Sequence, residues 1–560
     1  MSILLLSGQE KESDCVNRRN MIQYYDSRRT RLQKGRHKDM KKRSFQYQYG
    51  KALCGAAIFL TWVYLQTGLY RFVMPAYRTA FRMEQWCGLL LAAAAVLFLC
   101  IRLGQGPESR QRIKSRFREF LSYEQIYLVY TFLWYIVSVA RYQHVMGGEQ
   151  FRNNDPWMFA TGMMAFLLFP LAQYIGSRDA RRVLERMLKT VVLPFACFTG
   201  WMIWQYFHQH YVTFPSGQQL QMSPDSSMLF SELSHNYLAR QAMVMVGLSL
   251  YMIATQNGAE KCVYTLCLAV FLVSLILTNS RTSWYMTSAM LTCAGFLACM
   301  NPGKRKKGIV RAVVGLLAAA AIALSCHWLR GEIFVLLDRA LSRQAGTEAA
   351  AAEETAGASA SPVYLLRPLS GTGGTEPVQQ TETKPAASSA ASGARRLDDN
   401  LSTIGNRLPL YRASLKAMFS SRYCFLFGVT PANVVSLLRN YEGVSDSFAY
   451  DHAHNFFLQM GVSFGVPTMA AAIAFAVSLV MRSVRILLLA ARRRVFPGAW
   501  MVCLMVTAFL ANDMLEADLS GGVGIFCVTF YLLAGWLVSM ERELRTQKRQ
   551  RDREKAPDPE

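Results

Sequence analysis

The chain has 560 residues, 52% of them hydrophobic and 18% charged, with 61 Lys and Arg against 37 Asp and Glu for a net charge of +24. Soluble domains carry about a quarter charged residues. A chain this apolar and this basic should place its charges in loops and its apolar residues in long runs. It does, which excludes a soluble globular enzyme, a disordered protein and a secreted disulfide scaffold. The cations lie between apolar runs, the pattern of membrane topology and not of a nucleic-acid partner.

Residues 1–45 read as a basic cytoplasmic arm, with Arg18, Arg28, Arg29, Lys38, Lys41, Lys42 and Arg43. The opening Met1–Leu6 is too short for a secretory leader and is followed by Glu10, Lys11, Glu12 and Asp14. A membrane helix needs about 20 mostly apolar residues. Twelve runs meet that need: 51–73, 86–103, 123–141, 157–176, 189–207, 239–255, 262–278, 282–300, 309–329, 454–481, 496–512 and 521–540. Most of the 13 Cys fall inside these runs without CxxC spacing, as small apolar side chains in lipid-embedded helices would.

Lys and Arg placement sets the orientation. With the N-terminal arm inside, each even-numbered helix ends in the cytoplasm. The loops placed there carry Arg110 to Arg118, Arg178 to Lys189, Lys304 to Lys307, and Arg482, Arg485 and Arg492 to Arg494. The tail adds Arg542, Arg545, Lys548, Arg549, Arg551 and Arg553, whereas the outer loops hold far fewer cations. The expected fold is all-α: a polytopic helical bundle of about 12 transmembrane helices with one large extracytoplasmic loop. Its parts are the arm 1–45, helices 1–9 over 46–330, the loop 331–453, helices 10–12 over 454–540 and a basic cytoplasmic tail 541–560. Within the loop, 346–398 is low in complexity and cannot bury enough apolar surface to fold. Residues 400–450 should be partly helical, with Leu408, Leu410, Leu415, Met418 and Phe419 beside Arg407, Arg412 and Lys416 on an amphipathic helix at the membrane surface.

Ionisable groups at a membrane boundary are costly and are functional candidates by default. Three stand out on the outer side: Arg281 in the turn Thr278–Trp284, Arg407, and His454 at the head of helix ten. An Arg fork suits phosphate oxygens, and a His can take a proton from an attacking hydroxyl. Asn455, Arg412, Asp451, His452 and Glu516 are supporting candidates, with Asp513 and Asp518 as further outer acids. The acids Asp451, Asp513, Glu516 and Asp518 read as groups that orient His454 or bind an acceptor or, more simply, as solvated loop charges. His452 and His454 form His-x-His, but no Cys or acidic residue is spaced to complete a zinc site, so no metal is expected.

Several motifs occur together. His454–Asn455, nine residues and then Gly465–Thr468 resembles the His-Asn/Ser/Gln-x9-Gly-x-x-Gly/Thr/Tyr pattern of the O-antigen ligase and polymerase superfamily. Asn236–Ala239 is similar to its Asn-x-Leu-Ala, and Thr278–Arg281 to its Ser-Arg turn. Asn406–Tyr411 resembles its Gly-Arg-x-x-x-Trp, and Phe425–Asn433 its Pro-Leu-x-Gly-x-Gly-x-x-Asn. The motifs keep the family's order between Asn236 and Thr468. Asn406, Tyr411 and Thr430 depart from it, standing where Gly, Trp and Gly are common.

The resemblance implies a helical-bundle glycosyltransferase of the bacterial cell membrane, with both termini cytoplasmic and the active site outside. It implies an inverting, metal-independent transfer with no cofactor. Arg281 and Arg407 would hold the pyrophosphate of an undecaprenyl-linked glycan donor, and His454 would activate the hydroxyl of a glycan or lipid-linked acceptor. Capsule, exopolysaccharide or other surface-polysaccharide synthesis is the expected setting. Membrane lipids and a chain-length regulator are the further candidate partners. A secondary transporter or lipid-linked-glycan flippase is the alternative, since twelve helices fit one, although no repeat relates the two halves.

Overall fold

The computed structural model describes residues 122–146, 169, 172, 177–209, 211–213, 219–221, 235–278, 280–300, 310, 312–333, 402–439, 441, 452–493, 497–517, 519 and 525–554. The expected helices at 51–73, 86–103 and most of 157–176, the arm 1–45, the stretch 346–398, Asp451 and Asp518 lie outside these residues.

Thirteen helices are described. In chain order they are α1 (Tyr123–Met146), α2 (Ser177–Gln209), α3 (His235–Thr255), α4 (Ala259–Leu277), α5 (Arg281–Met300) and α6 (Ala312–Ile333). Then come α7 (Ser402–Met418), α8 (Arg422–Phe427), α9 (Val434–Leu438), α10 (Phe456–Phe464), α11 (Val466–Arg493), α12 (Pro497–Asp513) and α13 (Ile525–Glu554). Four of them hold apolar stretches long enough to cross a membrane: Leu238–Thr255, Ala259–Leu277, Ala312–Ile333 and Val466–Leu489. The remainder of the expected all-α class is qualified by one small hairpin after α2. There β1 (Tyr211–Thr213) pairs antiparallel with β2 (Gln219–Gln221), Val212 opposite Leu220.

Three boundaries differ from the sequence reading. Arg178 to Lys189, read as a loop, belongs to the continuous helix α2; Arg, Leu, Glu and Met are strong helix formers, and charge reports water rather than a break. Arg482 and Arg485 lie within α11, and Arg542 to Arg553 extend α13 instead of forming a separate tail. The expected tenth span is two helices, α10 and α11, broken at Gly465.

The centre of the bundle is α3, which packs against α2, α4, α5, α12 and α13 and is buried from Ala239 through Ser249. Around it, α11 shows the one-sided pattern of a helix at the bundle's edge. Ala472, Phe475, Ala476, Leu479, Ser483 and Ile486 are buried, while Ile473, Val477, Val480, Val484 and Leu488 are exposed. In lipid that outer apolar face has no cost, and packing plus polar contacts hold the inner one. Phe475 stacks on Tyr127 with centroids 4.5 Å apart and meets Phe530 edge-on at 6.4 Å, contacts of about 0.5–1.5 kcal/mol each.

Helix α1 runs antiparallel to α11, with Trp134 level with Phe464 and Glu124 level with Ser478 and Arg482. At that far end, about 24 Å along α11 from Val466 at 1.5 Å per residue, Arg482 bridges two buried carboxylates. It holds Glu124 of α1 through Nε and Nη2, the latter at 3.1 Å, and Glu541 of α13 through Nη1. Arg485 and Arg545 also approach Glu541.

Helices α7 to α10 form a smaller cluster at the other end, built on Leu410, Ala413, Ala417, Met418, Val429, Val434, Leu438, Ala453 and Val462. Leu410 and Met418, expected to face lipid, are buried there. Leu408, Leu415 and Phe419 are exposed on the opposite side of α7, with Arg412 and Lys416. This cluster positions the site.

Candidate active site

Two motif segments meet through their glycines. Val429 N–H donates to Val462 O at 2.9 Å and Thr430 N–H to Ser463 O at 3.0 Å, so the strand of chain after α8 lies against the end of α10. A Cβ on Gly428 would stand 2.3 Å from the Ser463 carbonyl carbon, and one on Gly465 would stand 2.3 Å from Leu426 O. Both have positive φ, at 69° and 91°, so glycine meets two demands at once. Trp134 of α1 clamps the junction, its indole N–H donating to both Leu426 O (3.1 Å) and Phe464 O (2.9 Å). Thr430, standing where the motif has glycine, still adopts φ 65°. It is buried, and its hydroxyl accepts from Asn433 Nδ2 at 3.0 Å.

This docking sets α7 beside the head of α10. Asn455 caps α10, its Oδ1 accepting from Leu458 N–H at 3.0 Å, and its Nδ2 donates to Met514 O at 2.7 Å. That second bond ties the head of α10 to the segment after α12. His454 precedes the cap with φ 50°, a conformation seldom taken by a non-glycine residue and common where function constrains the chain. Tyr411 of α7 holds it there, donating to His454 O at 3.0 Å, and burial raises the Tyr411 phenol above its ordinary pKa.

Glu516, from the segment joining α12 to α13, is the centre of the site. Its Oε2 faces His454 Nδ1 at 3.1 Å and Arg240 Nη1 at 3.4 Å, and its Oε1 faces Arg407 Nη2 at 3.0 Å. Arg407 Nη1 also donates to Leu515 O. Burial alone would raise the Glu516 carboxyl. The hydrogen bond from His454, and the charges of Arg240, His454 and Arg407, hold it instead at about 2. The carboxylate is therefore anionic and can only accept, so Nδ1 is the nitrogen that carries the proton in the neutral tautomer of His454, and Nε2 is left as that tautomer's acceptor.

His452 completes the cluster. Its Nδ1 accepts the His454 backbone N–H at 3.2 Å, and the two rings lie 4.3 Å apart. Burial, then the proximity of His454, Arg240 and Arg407, lower its pKa to about 3 against the opposing pull of Glu516. It is neutral at any physiological pH, as an acceptor must be.

The sequence reading is revised here in two respects. An acidic residue is brought to the His-x-His pair after all: ligand atoms of His452, His454 and Glu516 lie within 4.8 Å of one another. The donor set nevertheless opposes a cation, because that carboxylate already faces two guanidinium groups. Glu516 and Asp513 are also buried and not solvated; Asp513 accepts from Leu519 N–H at 3.2 Å.

The other candidates are placed as follows. Arg412 is exposed, away from the buried face of α7. Arg281 opens α5 and is half-buried; Ser283, two residues on, donates to Asn512 at the end of α12 at 3.3 Å, so Arg281 stands at the same end of the bundle by a separate route. Arg240 was missed. The available signal was a lone cation at the head of an apolar run, directly after Asn236–Ala239.

Residues 266–473 match the family model described as O-antigen ligase. That segment is similar to the O-antigen ligase family. Arg281, Arg407, His454 and the paired glycines lie inside it, whereas Arg240 and Glu516 lie outside. The family indicates ligase- or polymerase-like glycosyl transfer in general. Together with the apolar helices it indicates a bacterial membrane protein that handles lipid-linked glycans. No curated protein matches the chain.

Proposed function

We propose that the protein is an extracytoplasmic glycosyltransferase that takes an undecaprenyl-pyrophosphate-linked oligosaccharide as donor. Attachment to a lipid-linked glycan would lengthen a polymer, and attachment to another terminal acceptor would be ligation. The observation that carries this reading is the Glu516–His454 pair, 3.1 Å apart, with Arg407 on the same carboxylate; His454 and Arg407 both lie in the segment similar to the O-antigen ligase family.

In the proposed step, His454 Nε2 takes the proton of the acceptor hydroxyl as its oxygen attacks the anomeric carbon. The bond from that carbon to the pyrophosphate oxygen breaks, and the lipid pyrophosphate leaves with the electron pair. Arg407, whose five N–H groups are not all taken up by Glu516, Leu515 and Tyr411, and Arg281 stabilise the charge that grows there. Glu516 stabilises the imidazolium. The donor's pyrophosphate is an energy-rich leaving group, so no separate nucleotide is needed. Exposed Leu408, Leu415 and Phe419 would set α7 at the outer lipid surface, where such a donor resides.

One observation favours the flippase alternative: the buried Glu124–Arg482–Glu541 cluster places charge deep in the bundle. The test separates the two. Purified protein in liposomes is given the undecaprenyl-pyrophosphate-linked repeat unit of the host, without added metal. Ladder growth or transfer to a second acceptor, lost in His454→Ala, is expected. Movement of the lipid-linked glycan across the bilayer without bond formation would overturn the transferase reading.

A further inference from the structure

Arg240 is a charged member of the Glu516 cluster with no place in the step above. It sits on α3, the central helix, and its side chain is 7% exposed, against 18% for Arg407. A buried guanidinium is costly unless matched, and Arg240 faces Glu516 from 276 residues away in sequence. The two arginines divide the carboxylate: Arg407 faces Oε1, whereas Arg240 shares Oε2 with His454. They also differ in mounting. Arg407 is carried by α7, in the outer cluster of short helices, and Arg240 by α3, which packs against five other helices of the bundle.

We propose that Arg240 is a positioning residue that keeps Glu516 charged and fixed against His454 while Arg407 engages the donor's phosphates. The inference rests on the transferase reading. When Arg407 turns toward a pyrophosphate, Oε1 loses its guanidinium and Oε2 keeps both of its partners. Without Arg240, the same motion would strip Glu516 of every guanidinium seen in the cluster. A buried carboxylate so deprived favours its protonated form, and a protonated Glu516 no longer fixes the His454 tautomer or stabilises its imidazolium. The structure thus assigns one arginine to the substrate and the other to the base.

The test compares wild type, Arg240→Gln, Arg240→Lys and Arg407→Gln in liposomes, with kcat, donor KM and the pH profile of kcat/KM. Among the described residues, titratable and charged groups that face His454 include Glu516 between α12 and α13, His452 ahead of α10, Arg240 on α3, and Arg407 and Tyr411 on α7. In the free enzyme, which the kcat/KM profile reports, Arg407 still holds Glu516 charged, so removing the Arg240 charge favours imidazolium there. Arg240→Gln is therefore expected to lower kcat at least about 10-fold, leave donor KM within about 2-fold, and move the acid limb upward by about one pH unit. Arg240→Lys restores the limb, and Arg407→Gln raises donor KM. An unmoved limb, or a KM change like that of Arg407→Gln, would overturn the assignment.

A readout free of turnover keeps the two readings apart: the pH dependence of diethyl pyrocarbonate labelling at His454, followed by mass spectrometry. If wild type transfers nothing, the transferase reading fails, and an upward-shifted labelling curve in Arg240→Gln still supports the pairing; an unshifted curve removes it. If Arg240→Gln does not insert, Arg240→Lys carries the test, with a reduced kcat and a wild-type limb expected and an unreduced kcat refuting.

Discussion

Glu516→Gln is the most demanding perturbation of this site, because it removes one charge and almost no volume. The carboxylate faces two guanidinium nitrogens at 3.0 and 3.4 Å and an imidazole nitrogen at 3.1 Å. With an effective dielectric near 20, each charged pair has a gross attraction of about 5 kcal/mol. Most of that offsets the cost of drying the ions, so the gross figure overstates the loss. What the variant leaves behind is two guanidinium groups that face a neutral amide in place of a carboxylate, one of them, Arg240, nearly inaccessible to water. Breaking a buried pair in this way costs about 3–5 kcal/mol.

The assay is thermal unfolding of purified protein in detergent, with Glu516→Gln, Arg240→Gln and the double variant compared at one scan rate. Glu516→Gln should show a large drop in apparent Tm. The double variant should be more stable than the sum of the singles by about 0.5–3 kcal/mol, because the Arg240 charge that faced the carboxylate is gone as well. A Glu516→Gln protein as stable as wild type, or strictly additive variants, would refute the buried-pair argument.

Gly465→Ala places a Cβ 2.3 Å from Leu426 O at φ 91°, and should cost about 3 kcal/mol or more. It should also free the 428–430 segment for proteolysis; unchanged cleavage there would count against the close approach. Acidification should destabilise the site in two windows. His452, lowered to about 3, contributes stability that is complete above pH 6.5 and lost as pH falls toward 3. Glu516, lowered from 4.5 to about 2, adds a second loss between those values. A plot of apparent Tm against pH should therefore flatten between 6.5 and 5 in His452→Gln, and an unaltered slope would contradict it. At the far end, Arg482→Met leaves Glu124 and Glu541 buried without their shared partner and should cost about 3–5 kcal/mol. Adding Glu124→Gln and Glu541→Gln should recover much of that, and no recovery would show that the cluster is held by other contacts.

What the sequence reveals here is what neighbouring residues decide. Long apolar runs announced α3, α4, α6 and α11, because a membrane span is a property of one continuous segment. The break at Gly465 was hidden for the converse reason. The run 454–481 is apolar through and past that glycine, and the helix stops because Leu426, 39 residues earlier, packs its backbone there. Arg482 was read as a loop cation, since its partners Glu124 and Glu541 are 358 and 59 residues away. The site divides similarly. His454 and Arg407 stand in short local motifs, and Glu516 was one acid among several, with nothing nearby to mark it as buried. Arg240 carries no motif of its own; only the fold shows that it meets Glu516.

The motif glycines also explain why the site tolerates departures from the pattern that surrounds it. Gly428 and Gly465 hold two backbones together, Trp134 clamps that contact from α1, and Tyr411 and Asn455 fix the carbonyl and the helix cap on either side of the His454 ring. A Tyr at 411 meets the need for an N–H or O–H donor that a Trp would meet, and Thr430 reaches the glycine-like φ with its hydroxyl occupied. The same device, a carboxylate set among arginines, appears at both ends of α11. At the far end Glu541 meets only arginines among its described ion-pair partners, an arrangement suited to holding helices together. At the near end one position around the carboxylate is taken by an imidazole, and one of the arginines is partly open to solvent. Those two differences turn an ionic tie into a group able to accept a proton beside a group able to hold an anion, which is why the proposed chemistry is placed there and not at Arg482.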